Sequence, residues 1–333
     1  MIRSFENRKQ DIDIMRGLLI VLVVIGHHSN DEIAGVIYWF HMPAFFILSG
    51  ILLQDRQEPI QSFMARKAKR LLIPYILYSF VLILIIDGDI KSFLEIVFGG
   101  SSRFVYGVYW YIPVLLTSEV VCHWLVNIKK LSQKALFVVA LLGVIASSVY
   151  SYAFYSNLDT DCTKWDLWHK IPWGVDISVL GVSYVLLGYL MRRYYEQISK
   201  WYVVLLSTMV VILSIILKCY GIFDYTFDMK QVKYPNALYN LILPIAWTIF
   251  IWTMAKLILN LKVLCNVLSY VGRESLVIMY LHSRMVFLVK AFFPQLWGIV
   301  YVITSILLSL LVGLIVRKIV QGTKYIVTRM NEI

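Results

Sequence analysis

The sequence predicts an all-α polytopic membrane protein. Residues 1–333 form one integral-membrane domain, a single bundle of about ten transmembrane helices with both termini cytoplasmic. Three observations carry this. Apolar residues make up 60% of the chain, charged residues only 15%, and mean hydropathy is +0.74. A soluble domain carries roughly 25% charged residues, so this chain cannot cover itself with polar surface and lipid must do so. A disordered chain, a disulfide scaffold and an ordinary cytosolic enzyme are thereby excluded. Apolar runs long enough for a ~30 Å hydrocarbon core also recur along the whole length. Finally, 31 Lys and Arg stand against 20 Asp and Glu, a net charge of +11, and the excess is unevenly placed.

The runs fall near 14–29, 34–53, 71–87, 105–126, 135–156, 172–191, 201–217, 237–259, 275–290 and 296–316. The first and third are marginal in length: Arg16 shortens one and Pro74 interrupts the start of the other. Arg3, Arg8 and Lys9 before an apolar run resemble a signal peptide. No small-residue cleavage site follows His27-His28, so an uncleaved first helix is expected. No internal repeat or low-complexity tract is present, and no intervening segment is long enough for a soluble domain.

With these spans, 22 of the 31 basic residues fall on the side of the N-terminus, while Asp87, Asp161 and Asp228 fall on the other. Cytoplasmic loops collect Lys and Arg. The basic excess is therefore topology, with membrane lipid as the partner and no nucleic-acid surface. Cys162 and Cys219 share the outer side and could pair; Cys122 lies within a span and Cys265 is cytoplasmic. No CxxC or Cys/His metal spacing exists, so no metal site and no bound cofactor is expected.

Ionisable residues inside a span are costly and mark function. Arg16 and His27 are eleven residues apart, and eleven steps of about 100° fall within ~20° of three full turns. Both side chains share one helix face, about 16.5 Å apart along the axis, Arg16 at the cytoplasmic end and His27 near the outer end. Asp13, three residues before Arg16, can pair with it on that face. His28 is rotated ~100° away.

The second span reads Phe40-His41-Met42-Pro43-Ala44, with Ser49 and Gly50 beyond. Pro43 is expected to kink or open the helix just after His41. Ahead of the third span, Arg66 and Arg70 lie one turn apart, flanking Lys67 and Lys69. Such a cluster is a topology signal, an anionic-lipid contact or a phosphate site. Tyr109-Trp110-Tyr111 opens the fourth span, as an aromatic belt or as a sugar platform. Glu119 lies deep in that span and needs protonation or an Arg partner. In the ninth, Ser275 is a candidate N-cap and His282 lies about two turns inside.

Asp13-Ile14-Met15-Arg16-Gly17 with His27 resembles the Arg-x10-His signature of membrane acyltransferase family 3, in its fucose 4-O-acetylase-like and exopolysaccharide-modifying branch. His41 to Gly50 is similar to that family's second-helix motif, with Ala44 where leucine is usual. Arg70-Leu71-Leu72-Ile73-Pro74-Tyr75 resembles the start of its third helix, although the residue three before Arg70 is Lys67. Trp110 fits the tryptophan of its fourth helix, and Gly272 to His282 its late Gly-x-x-Ser…His stretch.

The resemblance implies transfer of an acyl group, commonly acetyl from acetyl-CoA, to a sugar hydroxyl of a cell-envelope glycan or lipid-linked precursor. Acyl-CoA is then a co-substrate, its phosphates on Arg66, Lys67 and Arg70, its thin pantetheine arm running from Arg16 towards His27. His27 would act as base or acyl carrier and Asp13 would orient Arg16. His41, Trp110, Glu119 and His282 would hold the acceptor or support the reaction. The rival from another class is a multi-span transporter or flippase for glycan precursors, which also tolerates broken spans and buried charge. Against it, no corresponding pair of broken helices occurs in two halves. The sequence leaves the oligomeric state, the sugar, and acetyl versus succinyl open.

Overall fold

The protein is described from a computed structural model covering residues 2–28, 31–82, 108–156, 172–295 and 298–330. The outer acidic positions 87–95 and 159–166 and Cys162 lie outside the described residues, and Cys219 is an exposed free thiol. Thirteen α-helices follow one another among the described residues. They are α1 (Ile2–Gly26), α2 (Asp31–Tyr38), α3 (His41–Ile51), α4 (Ile60–Leu82), α5 (Tyr111–His123) and α6 (Gln133–Ser156), then α7 (Val175–Arg193), α8 (Tyr195–Ile198) and α9 (Trp201–Cys219). The chain ends with α10 (Ala237–Ile258), α11 (Lys262–Arg273), α12 (Ser275–Phe292) and α13 (Gly298–Met330). No strand occurs among them; one antiparallel bridge joins Asp228 to Lys233.

Eight helical stretches among the described residues are long and apolar enough to cross a membrane. The two runs missing from this set are the two with marginal length. In α1, Asp11, Asp13 and Arg16 leave a short apolar stretch, and the apolar half of α4 begins only at Leu71. The second span runs Glu32–Ile51 and is broken in the middle. The break lies at Trp39-Phe40, however, and not at Pro43 as expected. Pro43 sits in the first turn of α3, where a missing N–H costs nothing. Pro74 likewise stays inside a continuous helix.

Close crossings fix the frame. A side-chain carbon on Gly50 would overlap the Val185 carbonyl, and one on Gly188 the Ile47 carbonyl, so α3 and α7 meet backbone to backbone. Gly17 and Gly272 do the same for α1 and α11, against the Leu268 and Asp13 carbonyls. Small residues allow this approach, which in lipid replaces the hydrophobic drive between helices. The second crossing brings Arg273 beside the turn of α1 that carries Asp13 and Arg16.

A buried polar hub holds the opposite end. Asn236 caps α10 by accepting from the Tyr239 amide at 3.1 Å. Asn240, one turn on, donates to Ser148 Oγ and to the Tyr234 carbonyl, both at 2.7 Å, and accepts from Tyr225 Oη at 2.5 Å. Tyr184 Oη donates to the Asn240 carbonyl at 2.7 Å, and Trp39 Nε1 to the Tyr225 carbonyl at 2.8 Å. The segment between α9 and α10 is thus tied to α6, to α7 and to the break between α2 and α3.

Candidate active site

Two cavities lie along α1. The first, about 290 Å³, is lined by Arg16, Arg56, Arg66, Lys67, Arg70 and Arg273, with Glu58, Glu119 and His123 among them. Its floor is a buried ion pair, Lys67 Nζ to Glu119 Oε1 at 2.7 Å, with side-chain exposures of 17% and 5%. Glu119 therefore has a basic partner, a lysine, where protonation or an arginine was expected. Both residues line this cationic cavity, and the charge of Lys67 is compensated by Glu119.

Asp13 lies 3.7 Å from Arg16 and 3.8 Å from Arg273. It pairs with Arg16, as the three-residue spacing allows, and also with a second guanidinium that the sequence did not single out. Arg66 makes a two-point contact with Glu58 at 2.6 and 3.2 Å. That guanidinium holds the Glu58 carboxyl below the usual carboxylate range. Arg66 and Arg70 line one cavity, as their helical spacing requires.

The rim between α3 and α4 is pinned from α7. Arg192 donates to the Leu53 carbonyl, and Tyr189 Oη and Arg193 bond Asp55, each at 2.8 Å. His123, which the sequence reading passed over, stacks on Phe63 with ring centroids 4.0 Å apart. Asn127 donates to its Nδ1 at 3.0 Å, so Nε2 carries the hydrogen and donates to the Glu58 carbonyl at 2.9 Å.

The second cavity, about 300 Å³, holds His27, Tyr38, His41, Trp110, Asp228, Lys230 and Gln231. His27 follows the last turn of α1, its amide still bonded to the Val23 carbonyl at 3.1 Å. Its ring is exposed to the cavity and makes no hydrogen bond among the described residues. The His282 ring is 5.1 Å from it and Tyr38 6.0 Å, centroid to centroid, and Tyr38 lies 5.2 Å from His41. His41 Nδ1 meets the Ile37 carbonyl at 2.8 Å across the helix break. His282 Nδ1 meets the Ile278 and Met279 carbonyls at 2.9 and 3.0 Å. A carbonyl only accepts, so in both rings Nδ1 carries the hydrogen and Nε2 presents a lone pair. His282 Nε2 is buried with no hydrogen-bond partner, and an unpaired buried polar atom calls for an explanation.

Trp110 is 7% exposed and faces this cavity, so the aromatic-belt reading of that residue is set aside. Tyr111 and Met279 line both cavities and form their common wall. The Tyr111 hydroxyl is hydrogen-bonded to Ser49, and its ring packs on Phe46 at 5.3 Å. The sequence-selected residues thus divide. Arg16, Arg66, Lys67, Arg70 and Glu119 line the first cavity with Asp13 behind Arg16, and His27, His41 and Trp110 line the second with His282 behind them. Asp228, Gln231, Tyr38 and Met279 were missed, because nothing local in sequence places them beside His27. No group of His, Cys, Asp and Glu fit to hold a metal occurs among the described residues.

The described residues thus form an all-helical membrane bundle with a cationic cavity and a histidine cavity along one helix. The chain belongs to the acyltransferase family whose model is described as "Acyltransferase domain", which matches residues 9–318, and its enzyme class is that of the acyltransferases. It is also similar to nodulation protein NolL of Sinorhizobium fredii, at 29% identity over a match covering 45% of this chain and 48% of that relative. The match thus spans about half the length of the relative. No solved structure matches the chain.

Proposed function

We propose that the protein is an O-acyltransferase of the cytoplasmic membrane, with about ten spans and both termini cytoplasmic. It moves an acyl group, foremost acetyl, from acyl-CoA to a hydroxyl of a cell-envelope glycan or a lipid-linked sugar precursor. One observation carries the reading: Arg16 in α1 and His27 just past its end line two cavities that, among the described residues, share only Tyr111 and Met279 as wall. A donor with a polyanionic head and a long thin arm suits that layout. Its phosphates would lie among Arg16, Arg56, Arg66, Arg70 and Arg273, since guanidinium matches phosphate geometry. Its thioester would pass Tyr111 and Met279 to reach His27.

In this mechanism a ring nitrogen of His27 takes the proton from the acceptor hydroxyl as its oxygen attacks the thioester carbonyl. The new C–O bond forms, the C–S bond breaks, and the proton passes to the departing CoA sulfur. The Nε2 lone pairs of His41 and His282 would orient the hydroxyl and the His27 ring. Family membership favours this reading over a transporter for glycan precursors. The test is acyl transfer from labelled acetyl-CoA to glycan in membrane vesicles. His27→Ala should abolish it with the protein still folded and inserted, and transfer that persists at the wild-type rate would overturn the mechanism.

A further inference from the structure

One wall of the histidine cavity comes from a tight turn, residues 228–233, whose residues 228–231 line it. We infer that this turn reads the acceptor, with Asp228 and Gln231 selecting among pyranosides seated one sugar unit at a time against Trp110 and Tyr38. The inference rests on the acyl-transfer reading for its substrate class, and four observations support it.

The turn is built and not slack. Asp228 and Lys233 exchange both backbone hydrogen bonds, at 2.8 and 2.9 Å, and Asp228 Oδ1 accepts from the Gln231 amide at 3.1 Å. Val232 is held at φ +59°, a conformation a β-branched residue rarely adopts. It persists because Ser151 grips both sides: its hydroxyl donates to the Val232 carbonyl at 2.6 Å and accepts from the Tyr234 amide at 2.8 Å. Strain held in place by its surroundings is a feature of binding sites.

Chemistry is the second observation. Asp228 and Gln231, which carry a carboxylate and a carboxamide, line the cavity together with the aromatic Trp110 and Tyr38. A pyranose offers an apolar C–H face and a rim of hydroxyls, and these two kinds of group match it. Volume is the third. About 300 Å³ is the lower limit of small-molecule pockets, which admits one sugar ring with its attacking hydroxyl. The fourth is position: the turn shares its cavity with His27, so a ring held by it stands within reach of the reacting group.

The experiment uses the full chain in proteoliposomes with labelled acetyl-CoA and methyl pyranosides of gluco, galacto, manno and fuco configuration as acceptors. Asp228→Asn and Gln231→Ala should each raise acceptor KM at least tenfold for the preferred glycoside and reorder the panel, with the KM for acetyl-CoA held. Equal loss of kcat for every glycoside, or an unchanged order, would overturn the inference. A second readout does not depend on transfer. In a Cys162→Ser, Cys219→Ser background, Gln231→Cys is labelled by a membrane-impermeant maleimide with and without each glycoside. Protection by the preferred pyranoside, and none by glycerol at equal concentration, supports the site. Protection without any acetyl transfer would sink acyl transfer while leaving the sugar site standing. Equal labelling in all conditions would remove the sugar site itself.

Discussion

The two cavities on α1 are of nearly equal volume and are made by different means. The cationic one draws on short, charge-dense stretches, residues 16, 54–70 and 273, and pairs four of its cations with acids: Lys67 with Glu119, Arg66 with Glu58, and Arg16 and Arg273 both with Asp13. The histidine cavity is made of rings and a single turn, gathered from residues 27, 38, 41, 110 and 228–231 with His282 behind His27, and hydrogen bonds to carbonyls fix the rings of His41 and His282. Charge in a membrane must be compensated or solvated, which the paired acids of the first cavity accomplish. On the proposed function the first cavity takes the polyanionic donor, and the carbonyl-anchored imidazoles of the second hold lone pairs at fixed positions for proton transfer.

If that division holds, the largest effect falls in the histidine cavity. Replacing His27 by Ala should lower the transfer rate by at least about 10²-fold, the range a positioned acid–base group contributes, with the KM for acyl-CoA within about twofold of wild type. A large rise in that KM would merge the two cavities into one functional unit. Next comes Lys67→Ala, which strands Glu119 in a buried place and should cost about 3–5 kcal/mol of stability, seen as a lowered Tm in detergent. The double variant Lys67→Met, Glu119→Met should recover most of it, since removing both charges leaves none uncompensated. Failure to recover would make the pair a functional and not an architectural element.

Arg16→Ala should act on the donor, raising the KM for acyl-CoA about tenfold, the scale of one charge-assisted contact of 1.5–3 kcal/mol, with acceptor KM unmoved. An effect confined to the acceptor would contradict the assignment of the cationic cavity. The smallest change is expected from Glu58→Gln. The Glu58 carboxyl is depressed by Arg66, so their contact is present at neutral pH and is lost as pH falls below the ordinary 4.5. Stability near pH 7 should fall slightly in this variant and the wild-type advantage should vanish in acid; an advantage that grows in acid would reverse the sign.

Much of the cationic cavity was legible in sequence because its determinants are local. Asp13 and Arg16, or Arg66 and Arg70, fall on one face through helical spacing alone. The Arg16–His27 relation was legible for the same reason, one rigid helix carrying both. Glu119 was visible as an anomaly, yet its partner Lys67 lies 52 residues away on another helix, and no local pattern names it. The break after Tyr38 was misplaced at Pro43 because a proline in a first helical turn is harmless, and only the chain direction at Trp39-Phe40 decides where that first turn is.

The sequence by itself determined that this protein lives in lipid, which helix carries the ionisable residues Asp13 and Arg16, and which residues of that helix face together, because composition and the 3.6-residue period act within one segment. Tertiary structure alone decided that Asp228 and Gln231 stand across from His27, that Lys67 answers Glu119, and that Tyr111 and Met279 divide the two cavities. Those relations follow from how α3 crosses α7 and α1 crosses α11 at paired glycines, and a packing contact between distant segments leaves no periodic trace in a single chain.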